Sequence, residues 1–243
     1  MSRFSFIVLM LLLTSCAQTN QINNANADTK LLTLIDEYEQ YERSTNVFKA
    51  KQSDNSGFLL PDLSPATLAG HYQKRLALYK KLTKIGETSL SEDNQINYVI
   101  LYHALKNKLD SYRYNSHFTP LMAESGFHAS IASRINNQRL TSVQDYQTHI
   151  ARLSQLDRYF DQQMYWMQQG LEQGYSLPKV VMTGFEQSIL AYIPKNIIDS
   201  SFYQPFKQLP DSIPTTVQQQ LKAKAQEALS NPPERAFFMP GDY

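Results

Sequence analysis

Apolar residues recur with helical spacing along the chain from about residue 30 onward, and this spacing restricts the fold more than any other feature. The longest such stretch begins at Ser142 and continues to about Gly170. Residues spaced by three and four positions lie on one face of an α-helix. At about 1.5 Å per residue, the stretch predicts a single helix roughly 40 Å long. Its apolar face comprises Tyr146, Ile150, Leu153, Phe160, Met164, Met167 and Leu171.

Shorter stretches of the same kind predict further helices. Ser64 and Pro65 are residue types typical of a helix start, and Gly86 is placed as a helix stop. Other helices are expected to begin at Asp28, Ser91, Phe127 and Pro178, and after Pro214. The helix from Ser91 is expected to carry an apolar stripe of Ile96, Val99, Ile100, His103 and Leu109.

No segment shows the alternation of apolar and polar residues that is typical of a strand followed by a hairpin turn. We therefore expect an all-α fold, an irregular multi-helix bundle of about seven to eight helices. A signal helix and a flexible tether are expected to precede this bundle.

The first residues of the chain have the features of a bacterial export signal. Arg3 supplies a positive charge, and the run from Phe4 to Leu13 is apolar except for Ser5. This run is too short to span a bilayer, which needs about 20 residues, so it predicts a signal peptide over residues 1–15. An alternative is a short buried N-terminal helix with an incidental cysteine.

Cys16 is the residue to which the sequence assigns a specific chemical fate. Leu13-Thr14-Ser15-Cys16 fits the lipobox of bacterial lipoproteins, and Cys16 is the only cysteine. Membership of that class implies lipidation of the Cys16 sulfur, cleavage before Cys16 and acylation of the new N-terminus. Two or more acyl chains hold a protein firmly on a membrane, whereas one chain binds marginally. The membrane is thus the expected partner, reached through the lipid on Cys16.

Composition bounds the location and the partners of the remaining chain. Residues 16–30 are expected to form the lipidated cysteine and a flexible, Asn-rich tether, 31–229 a helical domain, and 230–243 an irregular tail. Ala17 favours the outer membrane facing the periplasm, because Asp at this position usually marks inner-membrane retention in Gram-negative lipoproteins. The chain has 23 basic and 22 acidic side chains, a balance without the basic footprint of nucleic-acid binding.

No catalytic, cofactor-binding or metal-binding residue can be assigned from the motifs present. The chain has five histidines but no His-Glu-x-x-His pair, and the nearest arrangement is Glu124 with His128. His103 and His149 lie on or beside apolar stripes, where histidines are more often part of the core edge than ligands. The 15 tyrosines and 12 phenylalanines could line a peptide or sugar groove, although most are expected in the core.

From Asp145 onward the sequence resembles a known family. The resemblance is carried by Asp145-Tyr146, His149, Arg152-Leu153, Met164, Gly170, Gly174-Tyr175, Leu177-Pro178-Lys179-Val180-Val181 and Ser201-Phe202-Tyr203-Gln204-Pro205-Phe206. These residues resemble the N-terminal half of the bacterial domain-of-unknown-function 885 family, over about residues 30–229. Members of that family look like zincin-type metallopeptidases and are often secreted or lipid-anchored.

The resemblance implies that the metal-binding half is missing from this chain. The family carries its metal site on a His-Glu-x-x-Pro-Gly-His-His segment and a later Glu-Gly-Trp-type segment, and neither occurs here. Zinc is therefore expected only in that missing half. Residues 230–243 are broken by prolines and present Phe237, Phe238 and Met239, which favours a truncated or split gene product that needs a partner.

Two functions from different classes remain open. In the first, the chain is a membrane-anchored envelope lipoprotein that forms the N-terminal helical part of a metallopeptidase-like protein and is inactive alone. Its partner would then be a second half-protein. In the second, it is a self-sufficient, non-catalytic helical lipoprotein that binds a peptide, a glycan or a partner protein. A half-domain should leave a larger apolar surface exposed than a monomer normally does.

Overall fold

A computed structural model of the protein describes residues 24–49, 57–121, 125–190, 192 and 195–230. The predicted signal peptide, Cys16 and residues 231–243 of the predicted tail lie outside these ranges. Helices dominate the described residues, which contain no strand and a single isolated bridge between Leu121 and Gly126. The predicted all-α fold is confirmed. None of the described helices combines the length and apolar character that a membrane span requires.

The helices are numbered here in chain order. They are α1 (24–44), α2 (Pro65–Ile85), α3 (Glu92–Arg113), α4 (Phe127–Asn136), α5 (Val143–Leu153), α6 (Leu156–Glu172), α7 (Phe185–Leu190), α8 (Gln204–Lys207) and α9 (Thr215–Ser230). Short 3₁₀ turns lie at Glu87–Ser89, Ser116–Phe118, Lys179–Met182, Ile197–Asp199 and Ser201–Tyr203. The predicted starts at Pro65 and Phe127 and the stop at Gly86 agree with these bounds.

The helices form two compact units, each with its own apolar core. The first unit contains residues 24–45 and Leu68–Arg113, and the second contains the described residues among Asn46–Thr67 and from Tyr114 to Ser230. The first core is built from Leu31, Leu34, Leu78, Leu82, Leu90, Tyr98, Leu101 and Leu105. The second is larger and includes Leu60, Phe127, Ile131, Ile135, Tyr146, Leu153, Tyr159, Phe160, Phe206, Leu221 and Ala225.

Helix α1 begins earlier than expected. Residues 24–30, which the sequence assigned to the flexible tether, are helical. Ala27 packs against the first core beside the buried Leu31, and the Asp28 carboxylate accepts a hydrogen bond of 3.0 Å from the Ser91 backbone N–H. These tertiary contacts extend the helix through a polar segment that has little helical signal of its own.

Helix α3 buries a different face from the predicted one. Tyr98, Leu101 and Leu105 lie in the first core, whereas Ile96 and Ile100 are exposed. The prediction was therefore wrong for all of the stripe except Leu109, which is buried. Helix α3 has apolar residues on two faces, and only packing against Leu78 and Leu82 of α2 decides which face is covered.

The single long helix predicted from Ser142 is two helices, α5 and α6. The predicted capping box at its start is present, because Asp145 N–H donates to Ser142 Oγ and the Asp145 carboxylate accepts from Ser142 N–H. The break falls at Ser154 and Gln155. The apolar stripe continues through the break without a change of phase, so periodicity could not detect it. The helix predicted from Pro178 is also divided, at Gly184, whose φ is 87°.

Gln155, which precedes α6, and polar side chains of α6 bind the backbone of the segment 57–63. Gln155 Oε1 accepts from Leu59 N–H at 2.9 Å, and Trp166 Nε1–H donates to Leu63 O at 2.7 Å. Between them, Arg158 donates to the carbonyl groups of Leu60 and Pro61. Gln155 thus hydrogen-bonds this segment from the point where α5 and α6 separate.

Candidate functional site

Helix α5 directs two polar side chains into the second unit. His149 is 0% exposed and Arg152 is 9% exposed. They share a face with the buried apolar residues Tyr146 and Leu153, whose packing fixes the rotation of the helix. Polar groups in such positions are costly unless they find hydrogen-bond partners. We therefore regard the surroundings of His149 and Arg152 as the candidate site.

Arg152 and Arg134 both lie against the ring of Phe48. Their guanidinium carbons are 5.3 and 4.7 Å from the ring centroid, distances typical of cation–π contacts. Arg134 lies in the last turn of α4 and is exposed, whereas Arg152 lies in the last turn of α5 and is buried. Within the described ranges, neither arginine forms an ion pair with a carboxylate. Both arginines therefore contact the same aromatic ring, that of Phe48.

His149 is held in its neutral form by its surroundings. Burial lowers the pKa of His149 to about 4, and the positive charge of Arg152 acts in the same direction. The backbone of Phe202 is close enough to oppose this shift in part. The imidazole also meets the Phe206 ring edge-on, at 5.6 Å between centroids. At neutral pH the side chain is therefore uncharged and carries one N–H donor and one acceptor nitrogen.

Several polar atoms beside these residues lack hydrogen-bond partners in the part of the chain that the structure describes. They are Arg152 Nε, Asn136 Oδ1, Ser201 Oγ and a ring nitrogen of His149, whose other nitrogen lies near the Phe202 backbone. Asn136 and Ser201 contact each other, since Asn136 Nδ2 donates to Ser201 O at 3.1 Å. Ser201 precedes Phe202, whose backbone lies near His149. We call His149, Arg152, Asn136 and Ser201 the polar cluster.

The polar cluster contains one positive charge and several neutral hydrogen-bonding groups, and it lacks the ligand set of a metal site. Zinc sites use four histidine, cysteine or carboxylate ligands, or three and a water. No group of three or more such side chains lies together among the described residues. The residues of the polar cluster therefore do not fit a zinc site. The family resemblance implies zinc on a different segment, which does not occur in this sequence.

A second buried histidine, His128, is engaged with neighbouring side chains. Its Nε2 lies 3.2 Å from Ser188 Oγ, and its ring meets Tyr192 edge-on. The Ser188 hydroxyl donates to Phe185 O at 2.7 Å, so His128 Nε2–H must be the donor in the contact between them. A histidine that donates to the serine cannot act as its base. Glu124, which the sequence paired with His128, lies outside the described residues.

Aromatic side chains cluster around Trp166, the only tryptophan of the chain. His117 and Tyr165 meet its ring edge-on at 4.4 and 5.0 Å, and Phe118 stacks on it at 5.9 Å. Tyr175 packs edge-on against Phe118 at 5.2 Å. Tyr165 and Tyr175 remain 44% and 40% exposed. We call these five residues the aromatic patch; they offer ring surface to solvent beside a buried indole.

The sequence located the polar cluster only in part. His149 and His103 were both expected at a core edge. His149 is fully buried, whereas His103 is exposed. In the sequence, Arg152 was named only among the residues that carry the family resemblance. Arg134, Phe48 and Ser201 come from other elements and were not recognised as site residues. The one signal was an arginine three positions after a histidine on an otherwise apolar face.

Comparisons with known proteins return one match. The model of a family described as a bacterial protein of unknown function (DUF885) matches residues 53–237. That range includes the polar cluster and the aromatic patch, but not Phe48. Comparison with curated proteins and with solved structures gave no match.

Proposed function

This chain belongs to the DUF885 family of bacterial proteins, and on that premise we propose that it is the helical part of a metallopeptidase-like, lipid-anchored envelope protein. In this proposal Cys16 anchors it at the outer membrane, facing the periplasm. The zinc and the catalytic groups come from the family's His-Glu-x-x-Pro-Gly-His-His segment, which does not occur in these 243 residues. The described helices supply a wall of the substrate cleft and do not hydrolyse a peptide by themselves.

The observation that carries the proposal is an exposed apolar face on α3. Ile96 and Ile100 are 64% and 63% exposed, and Val99 between them is 37% exposed. Positions three and four apart are neighbours on a helix surface, so these side chains form one patch rather than scattered residues. Contiguous apolar surface on a soluble protein usually marks an interaction site. A second polypeptide that buries this face would remove it from water.

The experiment is reconstitution with a partner of defined sequence. The mature chain without its anchoring Cys16 (residues 17–243) is co-expressed with a polypeptide from the same genome that carries the His-Glu-x-x-Pro-Gly-His-His segment. We expect a stoichiometric complex that binds zinc and cleaves a fluorogenic peptide, whereas the mature chain alone binds no zinc and does not cleave it. The Ile96→Ser/Ile100→Ser double variant should lose the complex and retain its helical circular dichroism.

Leu32→Ser is the matched control, because Leu32 is also exposed (49%) but belongs to α1. This variant should still form the complex. If the mature chain does not bind such a partner, or if the double variant forms the complex as well as the wild type does, the proposal is wrong.

A second candidate function is supported by the aromatic patch. In this alternative, the chain is a self-sufficient, non-catalytic lipoprotein that binds a peptide or glycan at the cell envelope. Exposed tyrosine rings beside a buried indole offer both an apolar surface and hydroxyl groups to a ligand. Because Trp166 is the only tryptophan, its fluorescence reports on this patch alone.

The alternative is tested by titrating the mature chain with a chitin oligosaccharide and with a proline-rich peptide. It predicts a saturable change of Trp166 fluorescence that Tyr165→Ala weakens and Val180→Ala, at another exposed position of the second unit, leaves unchanged. Unchanged fluorescence with both ligands would count against the alternative without affecting the reconstitution experiment.

A further inference from the structure

We propose that one face of α6 is a binding site for an extended peptide, and that the chain's own segment 57–63 occupies this site. The face comprises Gln155, Arg158, Gln162 and Trp166, which we call the α6 face. Both the face and the segment belong to the second unit. The inference goes beyond the proposed function, because it requires neither a metal site nor the apolar surface of α3.

At one end of the segment, Gln155 hydrogen-bonds the backbone with both ends of its side-chain amide. Its Oε1 accepts from the N–H groups of Leu59 and Leu60 at 2.9 and 3.3 Å, and its Nε2 donates to Gly57 O at 2.9 Å. Every peptide backbone offers such N–H and C=O groups. These contacts therefore do not depend on the side chains of the segment.

Towards the other end of the segment, further side chains of α6 also bind the backbone. Arg158 donates to two successive carbonyl groups in the middle of the segment, at 3.0 and 3.2 Å. Gln162 Oε1 accepts from Leu63 N–H at 2.8 Å, and Trp166 Nε1–H donates to the carbonyl oxygen of the same leucine at 2.7 Å. The α6 face thus binds both N–H and C=O groups along the whole segment.

The spacing of the α6 face matches a drawn-out chain. Positions 155, 158, 162 and 166 are three and four apart, so their side chains lie along one side of the helix. From 155 to 166 a helix covers about 16 Å, a distance that a fully extended chain covers in about five residues. The backbone contacts advance in the same order along the segment and along the helix. The segment therefore lies lengthwise along α6, as a bound peptide would.

Alternate side chains of the segment define which peptides the site accepts. Leu60 is 0% exposed and packs in the second core, so this position requires an apolar side chain. Two positions earlier, the centroid of the Phe58 ring lies 4.4 Å from the Arg158 guanidinium carbon. Two positions later, the Asp62 carboxylate accepts from Gln162 Nε2 at 2.6 Å. The expected ligand is an extended peptide with an aromatic residue, a leucine and an acidic residue at alternate positions.

The segment is attached to the second unit in a way that permits its release. Within 57–63 only Leu60 is buried, Leu63 is partly buried against the core, and Gly57 and Phe58 are exposed. Water can replace hydrogen bonds near the surface at a small net cost. Release is therefore a local opening that removes two leucines from the core, rather than unfolding of the unit. While the segment is bound, its high effective concentration excludes a free peptide.

The experiment measures binding of a fluorescein-labelled peptide with the sequence of residues 57–63 to residues 17–243, by fluorescence anisotropy. Leu59→Pro frees the site, because proline has no N–H to donate to Gln155, and it leaves the α6 face unchanged. We expect this variant to bind the peptide about tenfold more tightly than the wild type does, the effect of one lost hydrogen bond in the competing segment. Its helical circular dichroism should match that of the wild type.

Three controls assign the binding to backbone contacts at the α6 face. A peptide N-methylated at the leucines that correspond to Leu59 and Leu63 keeps its side chains but lacks two N–H donors, and it should not bind. Gln155→Ala, added to Leu59→Pro, should weaken binding of the unmodified peptide about tenfold. Tyr175→Ala, added instead, should have no effect, because Tyr175 belongs to the aromatic patch and not to the α6 face.

Hydrogen exchange of the wild type tests the release of the segment without any substitution. The amides of Leu59 and Leu63 should exchange through local opening, at rates that low concentrations of urea do not change. The amide of Phe160, in the middle of α6, should instead exchange through unfolding and respond to urea.

The proposal is overturned if Leu59→Pro binds the peptide no better than the wild type, or if the N-methylated peptide binds equally well. It is also overturned if Leu59 and Leu63 exchange only when the unit unfolds, a result that decides even if Leu59→Pro does not fold. Binding that Tyr175→Ala abolishes would assign the peptide to the aromatic patch and reject the α6 face. None of these outcomes depends on zinc or on a second polypeptide, so they are separate from the reconstitution experiment.

Discussion

At the scale of single residues, His149 connects the stability of the second unit to pH. Its folded pKa of about 4 lies below the usual 6.5, chiefly because of burial. Above pH 6.5 the imidazole is neutral in both the folded and the unfolded chain, so it causes no pH dependence there. As the pH falls below 6.5, His149 binds a proton in the unfolded chain but not in the folded chain. The free energy of unfolding therefore decreases until about pH 4.

We therefore predict that His149→Phe reduces acid sensitivity. The variant cannot be protonated and keeps a ring against Phe206. The wild type should lose on the order of 3 kcal/mol more than the variant between pH 7 and pH 4. Urea unfolding at several pH values measures this difference. His103→Gln is the control, because it removes an exposed histidine of the first unit. Equal slopes for the wild type and His149→Phe would contradict the prediction.

A second prediction at this scale concerns Cys16, which stays a prediction because it lies outside the described residues. Acyl chains on its sulfur and amino group would hold the protein on membranes. In a Gram-negative host, Cys16→Ser should shift the protein from the membrane fraction to the soluble periplasmic fraction, and labelling with a clickable fatty acid should cease. Ser15→Thr, a change beside the cysteine that leaves its thiol, serves as the comparison. Full membrane partitioning of Cys16→Ser would refute the anchor.

At the scale of elements, two helical glycines have different surroundings. A Cβ on Gly170 in α6 would lie 2.8 Å from Phe118 Cβ and 3.1 Å from Phe118 O, whereas a Cβ on Gly70 in α2 meets nothing within 4 Å. Gly170 thus permits the close approach of the turn Ser116–Phe118 to α6. Gly70 has no such role, and it only weakens the helix relative to alanine.

We predict opposite effects for the two alanine substitutions. Gly70→Ala should raise the free energy of unfolding by up to about 1 kcal/mol, through helix propensity. Gly170→Ala should lower it by about 1–3 kcal/mol, because the added methyl group overpacks against backbone as well as side chain. Thermal unfolding of both variants beside the wild type tests the pair. Stabilisation by Gly170→Ala would contradict the prediction and mean that Phe118 can move away from the added methyl group at little cost.

The elements also show what periodicity can and cannot specify. It identified the helix starts at Pro65 and Phe127 and the capping box at Ser142, because these depend on local hydrogen bonding and backbone preference. It failed at the break between α5 and α6, because the apolar stripe keeps its phase there; at this point Gln155 hydrogen-bonds Leu59, 96 positions away in sequence. The buried face of α3 was missed for the same reason, because its partner is α2.

At the scale of the whole molecule, the chain contains two cores rather than one. Leu105 is fully buried in the first, and Phe206 is fully buried in the second. Each residue packs within its own unit, so a cavity at either position should weaken the contacts of that unit first. The family match begins at residue 53, so it includes all of α2 and α3 but not α1.

We predict that core substitutions act on the unit that contains them. Leu105→Ala should cost about 2–5 kcal/mol and increase hydrogen exchange mainly in α1–α3, and Phe206→Ala should cost about 3–5 kcal/mol and increase exchange mainly in α4–α9. Mass spectrometry of exchange at the peptide level measures both patterns. A uniform increase along the whole chain for either variant would show that the two cores unfold as one.

The sequence by itself determined the helical class of this protein and the positions of several helix ends, because both follow from the nearest residues along the chain. It also carries the predicted lipidation at Cys16, which depends on a short local motif. Only the tertiary structure decided which face of α3 is buried, where the long stripe breaks, and that Arg134, Phe48 and Arg152 meet. These features depend on contacts between residues far apart in sequence, whose energies no local pattern records.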